Sequence, residues 1–378
     1  MLEKITGQTR PDRVASKMNE RLNVTKSYLP ALQDYVKRLE QIWASGQLTN
    51  DGALSRELEG KLRDYFGVKH AIFVSNGTIA IQLAIQALGV KGDVITTPFT
   101  YVATSTALLW EHCRPVFVDI DPVTLCIDPE KIERAITPNT TAILGVHVYG
   151  YPCDFEKIGS IAQKHDLKVI YDGAHAMGVK IAGRSLLSVG DASTLSFHST
   201  KLFHTVEGGA VITNDDLVAD KIQLYRSFGH RGDEYLEAGI NGKNSEFHAA
   251  MGLCNFPSLG DQIKVRKRAF DAYVEGLRGL PIVLPQVKSA GIEGNFSYFP
   301  VIFESEKAVL FVKSMLEKLS VFPRRYFYPS LNLLPYMPHM PCPVSEDIST
   351  RILCLPLSSY TSLEDVQRVI AGLKTALR

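Results

Sequence analysis

The chain lacks any apolar run of eighteen or more residues, so a membrane-spanning helix is not expected. It also lacks a charge imbalance: 41 Lys and Arg stand against 40 Asp and Glu, a net charge of +1. That balance excludes a global field that would draw nucleic acid or an anionic membrane, and leaves room only for a local basic pocket. The N-terminal stretch MLEKITGQTRPDRVASKMNERLN has no apolar centre of the signal-peptide kind and reads as a polar extension over residues 1–22. Cysteine is scarce, and no Cys-x-x-Cys pair occurs. Cys113, Cys126, Cys153, Cys254, Cys342 and Cys354 are scattered, several in apolar runs, which predicts reduced thiols in a cytoplasmic protein. His147, His175, His198 and His204 lie in separate segments without ligand spacing, so no metal site is expected. No internal repeat and no low-complexity segment is found.

What the chain does have is ordinary globular composition, 45% hydrophobic and 21% charged, over a length that suits a large domain and a smaller one. Between about residues 55 and 215, short β-rich runs alternate with helical ones. AIFVS (71–75), DVITTP, PVFVDI (115–120), TAILGVHVY (141–149), KVIYDGA (168–174), ASTLSFH and GAVIT read as strands. IAIQLAIQAL, YVATSTALLW, PEKIERAI and FEKIGSIAQKH read as helices. The strands are continuously apolar rather than alternating, as strands covered on both faces are. The pattern predicts a mostly parallel sheet between helices, with ligands at the loops where strands feed helices. From about residue 265 the texture becomes α+β. FSYFPVIF (296–303) reads as a strand, and SEKAVLFVKSMLEKL (305–319) as a helix with Val309, Val312, Leu316 and Leu319 on one face. A last helix begins with Thr361 and Glu364 in capping-box positions. The division expected is an extension over 1–22, a large domain over 23–260 and a small one over 261–378.

The loops carry the chemistry. Asn76-Gly77-Thr78 opens a helix after a strand, where free backbone N–H groups and the helix dipole favour a phosphate; a plain turn is the other reading. Asp172 ends an apolar strand, where a carboxylate is costly unless paired, and His175 follows three residues on. The pair is either a capped turn beside a core histidine or a carboxylate facing a protonated ring nitrogen. Lys201, the single cation in SFHSTKLFHTVEGGA, follows about one strand later. A phosphate cradle, a carboxylate and a lysine at successive strand ends suit pyridoxal phosphate, and a lysine amine titrates readily when desolvated.

At this point the order of motifs resembles a known family. SNGTIAIQLA, TTPFTYVAT, VHVYGYPCD, YDGAHAMG, SFHSTKLFHTVEGGA and GINGKNSEFHAAMGL match, in order, motifs of the DegT/DnrJ/StrS sugar-nucleotide aminotransferases. The resemblance implies the type I fold of pyridoxal-phosphate enzymes, with a seven-stranded sheet in the large domain and a smaller C-terminal α+β domain. It implies that Lys201 links to the cofactor and shuttles the proton, and that Asp172 pairs with the pyridinium. Tyr101 stacks on the cofactor ring in that scheme, His175 lies beside it, and Gly77, Thr78 and Ser196 bind the phosphate. Asn241 reaches the phosphate of the neighbouring subunit, which makes the active unit a homodimer. Asn244 departs from the family, where many members have Met.

The family contains transaminases and a few dehydratases that carry His in place of the lysine. Lys201 therefore implies transamination, with glutamate as donor and 2-oxoglutarate as its product, rather than dehydration or a silent regulatory role. For the acceptor, VFPRRYFYPSLNLLPYM (321–337) is the informative stretch. Arg324, Arg325, Tyr326 and Tyr328 suit a nucleotide diphosphate, or the aromatics simply pack on the large domain. The resemblance is to enzymes that aminate C4 of dTDP-4-keto-6-deoxy-D-glucose for O-antigen or related surface polysaccharide. C3-aminating and GDP-perosamine-type enzymes are the alternatives.

Overall fold

The computed structural model describes residues 20–288 and 290–377. The polar extension lies outside the described residues, apart from residues 20–22. Seven strands form one sheet: β1 (His70–Val74), β2 (Asp93–Thr96), β3 (Arg114–Phe117), β4 (Thr140–Val146), β5 (Lys168–Asp172), β6 (Ala192–Ser196) and β7 (Gly209–Thr213). Their order across the sheet is β1-β7-β6-β5-β4-β2-β3. Neighbours run parallel except at β7, which is antiparallel to both β1 and β6. Every residue of β2 and β7 is buried, because helices cover both faces.

Those helices are α1 (Leu32–Ser45), α2 (Ala53–Phe66), α3 (Gly77–Ala87), α4 (Val102–Trp110), α5 (Pro129–Ala135), α6 (Phe155–His165), α7 (Asp216–Tyr225) and α8 (Glu246–Asn255). Strand β1 shows why its run is continuous. Ile72 and Val74 join a core with Leu83 of α3, Leu108 of α4 and Ile222 of α7. Ala71 and Phe73, on the other face, join Leu58 of α2 and Leu253 of α8. Helix α6 coincides with the run FEKIGSIAQKH: the Asp154 side chain accepts from Lys157 N–H at its start, and a left-handed Asp166 ends it.

The C-terminal part contains α9 (Leu259–Gly276), β8 (Phe299–Ile302), α10 (Glu306–Lys318), α11 (Pro343–Arg351), β9 (Ile352–Leu355) and α12 (Leu363–Ala376), with β8 antiparallel to β9. Its own core holds Val309, Val312 and Leu316 of α10 with Val366 and Leu373 of α12. Residues Leu22–Asn23 pair in parallel with Val321–Phe322, so the start of the described chain packs with its C-terminal third.

Three local expectations are corrected. The capping box of α12 is formed by Ser362 and Asp365, one residue beyond Thr361 and Glu364, because the Thr361 hydroxyl accepts instead from Ser358 N–H at 2.8 Å. Leu319 is 41% exposed, since α10 ends at Lys318 and the helical face ends with it. The strand expected to run to Tyr149 stops at Val146. There Tyr149 turns to φ 57° and Gly150 to φ 90°, where a Cβ on Gly150 would meet the His175 carbonyl at 2.8 Å.

Candidate active site

Strands β1–β6 all point one way, so their C-terminal ends meet at one edge of the sheet, where open α/β sheets bind ligands. A cavity of roughly 350 Å³ lies there. Gly77 and Thr78 after β1, Tyr101 after β2, Asp172 at the end of β5 with His175 beyond it, and Ser196 at the end of β6 with Lys201 beyond it all line it. The chain separates these residues by up to 124 positions, yet each sits at or just beyond a strand end.

The cradle is built by close backbone approach. The Asn76 side chain caps α3 by accepting from Ile79 N–H at 2.9 Å. The N–H groups of Gly77 and Thr78 keep no acceptor among the described residues, so the helix start offers two free donors to an anion. A Cβ on Gly77 would meet Ser196 Cβ at 2.9 Å, and one on Gly209 would meet the Asn76 carbonyl oxygen at 2.6 Å. Glycine at both places lets β1, β6 and β7 close around the same loop.

Asp172 is buried and held on both oxygens. Thr104 Oγ1 donates to Oδ2 at 2.7 Å, and Ala174 N–H donates to Oδ1 at 3.0 Å. Thr100 Oγ1 lies 2.9 Å from Thr104 Oγ1 and extends the network. His175 accepts from Tyr149 N–H through Nδ1 at 3.1 Å, which leaves its proton on Nε2. Burial, reinforced by the nearby Lys201 charge, holds this imidazole well below the usual histidine range, so it stays neutral. Its ring packs against Tyr298 at 4.8 Å and Phe327 at 5.8 Å. Desolvation also lowers the Lys201 amine below the usual lysine range, while Asp172, Tyr326 and Tyr101 pull it back up. The Tyr101 ring, 60% exposed, forms an open aromatic wall.

The remaining sequence candidates are divided. Arg324 and Tyr326 line the cavity, with the Arg324 guanidinium 5.5 Å from the Tyr326 ring centre. Arg325 turns away: its guanidinium bonds Glu306 at 2.7 Å and the Thr350 carbonyl at 3.0 Å, and lies 3.4 Å over the Tyr328 ring. Arg325 and Tyr328 are outside the cavity lining. Asn241 is exposed and accepts from Lys243 Nζ at 3.0 Å; it does not reach the cavity of its own chain. Sequence reasoning missed Thr104, Thr100, Glu207 and Tyr298 as parts of this site. Thr104 leaves one trace: with Ser105 it puts polar residues among the buried positions of YVATSTALLW, beside Ala107 and Leu108. No group of three or more potential metal-ligating side chains exists among the described residues.

These residues fit pyridoxal phosphate. Two free helix-start N–H groups suit its phosphate, a fixed carboxylate suits its ring nitrogen, and an amine of lowered proton affinity suits its aldehyde.

Comparison with known proteins agrees. The chain is 42% identical to the dTDP-4-amino-4,6-dideoxy-D-glucose transaminase of Shigella dysenteriae, covering 94% of this chain and 99% of that protein. It is 34% identical to the GDP-perosamine synthase of Caulobacter vibrioides, covering 91% and 95%. The crystal structure of DesI with its TDP-sugar product matches with a TM-score of 0.90 at 35% identity, covering 95% of this chain and 93% of that one. The structure of NtdA from Bacillus subtilis with bound cofactor PMP matches with a TM-score of 0.84 at 28% identity, covering 92% and 82%. The family profile matches residues 32–374, and the chain belongs to the DegT/DnrJ/EryC1/StrS aminotransferase family.

Proposed function

We propose that this aminotransferase binds pyridoxal phosphate through Lys201 and moves the amino group of glutamate onto C4 of dTDP-4-keto-6-deoxy-D-glucose. The product would be dTDP-4-amino-4,6-dideoxy-D-glucose, a precursor for surface polysaccharide made in the cytoplasm. The observation that carries this reading is the end-to-end similarity to a transaminase of that name, in a chain whose Lys201 and Asp172 share one cavity.

When bound, the cofactor supplies an aldehyde that takes up the amino group and a pyridine ring that accepts an electron pair. The rest is the work of this chain. Gly77 and Thr78 N–H would hold the phosphate, with Ser196 beside them. The Asp172 carboxylate, fixed by Thr104 and Ala174, serves as acceptor for the ring N–H. The neutral His175 offers its Nε2 proton as a donor without adding charge. Lys201, its proton affinity lowered by burial, would hold the cofactor at its aldehyde end and would move a proton at the substrate carbon. Arg324 supplies the cavity's other cation, suited to the diphosphate of a sugar nucleotide. In our reading the enzyme works as a homodimer, with Asn241 completing the phosphate site of the partner subunit.

A GDP-linked acceptor is the second reading, favoured by the similarity to GDP-perosamine synthase. Incubation with glutamate and a panel of 4-keto and 3-keto sugars linked to dTDP, GDP and UDP separates them. The expected result is 2-oxoglutarate release and a new amino sugar with the dTDP 4-keto compound above all. Turnover confined to a GDP or 3-keto compound would overturn the substrate assignment.

A further inference from the structure

We propose that Asn244 is a positioning residue that sets the phosphate cradle, through its carboxamide rather than through packing. The inference rests on the pyridoxal-phosphate reading above. Asn244 lies between Asn241 and helix α8 and does not line the cavity. Its Nδ2 group donates twice, to the Val74 carbonyl at 3.2 Å and to the Glu207 carbonyl at 3.1 Å. Its Oδ1 accepts from Ser245 N–H at 2.8 Å. Both amide hydrogens and the amide oxygen are therefore engaged.

The partners give these bonds their meaning. Val74 ends β1, and the cradle residues Asn76, Gly77 and Thr78 follow at once. The next residue, Ser75, donates its N–H to the Gly242 carbonyl at 2.9 Å. The 242–244 stretch thus grips the end of β1 at two successive residues, once by backbone and once by the Asn244 side chain. Glu207 opens the Glu-Gly-Gly turn into β7, and its side chain lines the cavity. Two residues on, Gly209 lies against the Asn76 backbone, closer than any Cβ would allow. Asn244 therefore ties together the two segments whose contact shapes the cradle. The space is also limited: a Cβ on Gly208 would come to 3.3 Å from Asn244 Nδ2. A thioether or a methyl group offers no donor to either carbonyl; the Glu207 carbonyl keeps the Thr205 hydroxyl as a donor at 2.7 Å, but the side-chain link from this turn to the end of β1 is lost.

The test compares pyridoxal phosphate with pyridoxal, which shares the aldehyde and ring but has no phosphate. Apo forms of the wild type, Asn244→Ala and Asn244→Met are titrated with each, following the absorbance of the lysine-bound chromophore. Thermal denaturation of each apoprotein serves as the control for folding. Both variants should bind pyridoxal phosphate about tenfold more weakly, as expected for lost donors to two carbonyls, and bind pyridoxal as the wild type does. Equal losses for both ligands would show a general structural role and overturn the proposal. So would unchanged binding of pyridoxal phosphate. If neither variant yields folded apoprotein, Asn244→Ser, which keeps one donor, should show an intermediate loss for pyridoxal phosphate alone; its absence also refutes the idea. Wild-type protein that takes up no pyridoxal phosphate would instead sink the cofactor reading, and this inference with it.

Discussion

Asp172, Lys201 and His175 share this cavity, and burial acts on the protonation of the lysine and the histidine. Desolvation works in the same direction on Lys201 and His175, favouring both in the neutral form. Asp172 opposes it for Lys201, since a neighbouring negative charge favours the ammonium. Replacing Asp172 by Asn therefore removes the largest of the influences that raise the Lys201 pKa, and the amine should lose its proton at still lower pH. The pH at which apoprotein Lys201 becomes reactive toward an amine-labelling reagent should move down, and an upward move would contradict the assignment. The same variant should lower kcat by about a hundredfold or more, as removal of a positioned electrostatic partner does. Cofactor occupancy should fall less, because Gly77 and Thr78 are untouched. Near-wild-type rates with glutamate would make Asp172 merely structural.

At the level of elements, the segment that follows α10 sends two adjacent arginines in opposite directions. Arg324 exchanges backbone hydrogen bonds with Cys354 of β9, and its side chain reaches the cavity. Arg325 anchors the segment to Glu306 at the start of α10 and to the end of α11. A diphosphate is present on the sugar nucleotide and absent from glutamate, so a residue serving it affects one half-reaction. Arg324→Ala should weaken the keto-sugar half-reaction about 10- to 100-fold and leave the glutamate half nearly unchanged. Arg325→Ala should lower stability by about 1 kcal/mol, with both half-reactions intact. Single-turnover absorbance of each half-reaction, with urea denaturation alongside, reads both outcomes. Reversed roles for the two arginines would refute the placement.

For the whole molecule, the question is what Asn241 faces. It is exposed at the end of a stretch whose Phe228, Tyr235, Leu236 and Ile240 are also exposed, which is an unusual concentration of apolar surface for one segment. A two-fold dimer that covers this stretch and brings Asn241 to the partner's cradle accounts for both facts. Co-expression of Asn241→Ala and Lys201→Ala chains tests it. Each variant alone should be inactive or nearly so, whereas mixed dimers contain one site with both residues intact. Random pairing should then restore roughly a quarter of wild-type activity. No recovery in verified mixed dimers would place Asn241 in its own subunit's function.

Much of the molecule was legible in the sequence because its signals are local. Continuous apolar runs marked strands buried on both faces, and the run FEKIGSIAQKH marked α6 to its last residue. Asp172, Lys201 and Gly77 stood out because each breaks the texture of its surroundings, and the order of six motifs joined them into one family pattern. Other features depend on distant partners, and no window of sequence contains those. Helix α2 has no cap of its own: Glu246, some 190 positions on, accepts from Leu54 and Ser55 N–H and from the Ser55 hydroxyl. Thr104 became a support for Asp172 only when α4 was packed beside β5. Arg324 and Arg325 are identical in chemistry and adjacent in the chain. Only the path of the backbone past β9 and α10, which turns successive side chains to opposite sides, decided which one faces the cavity.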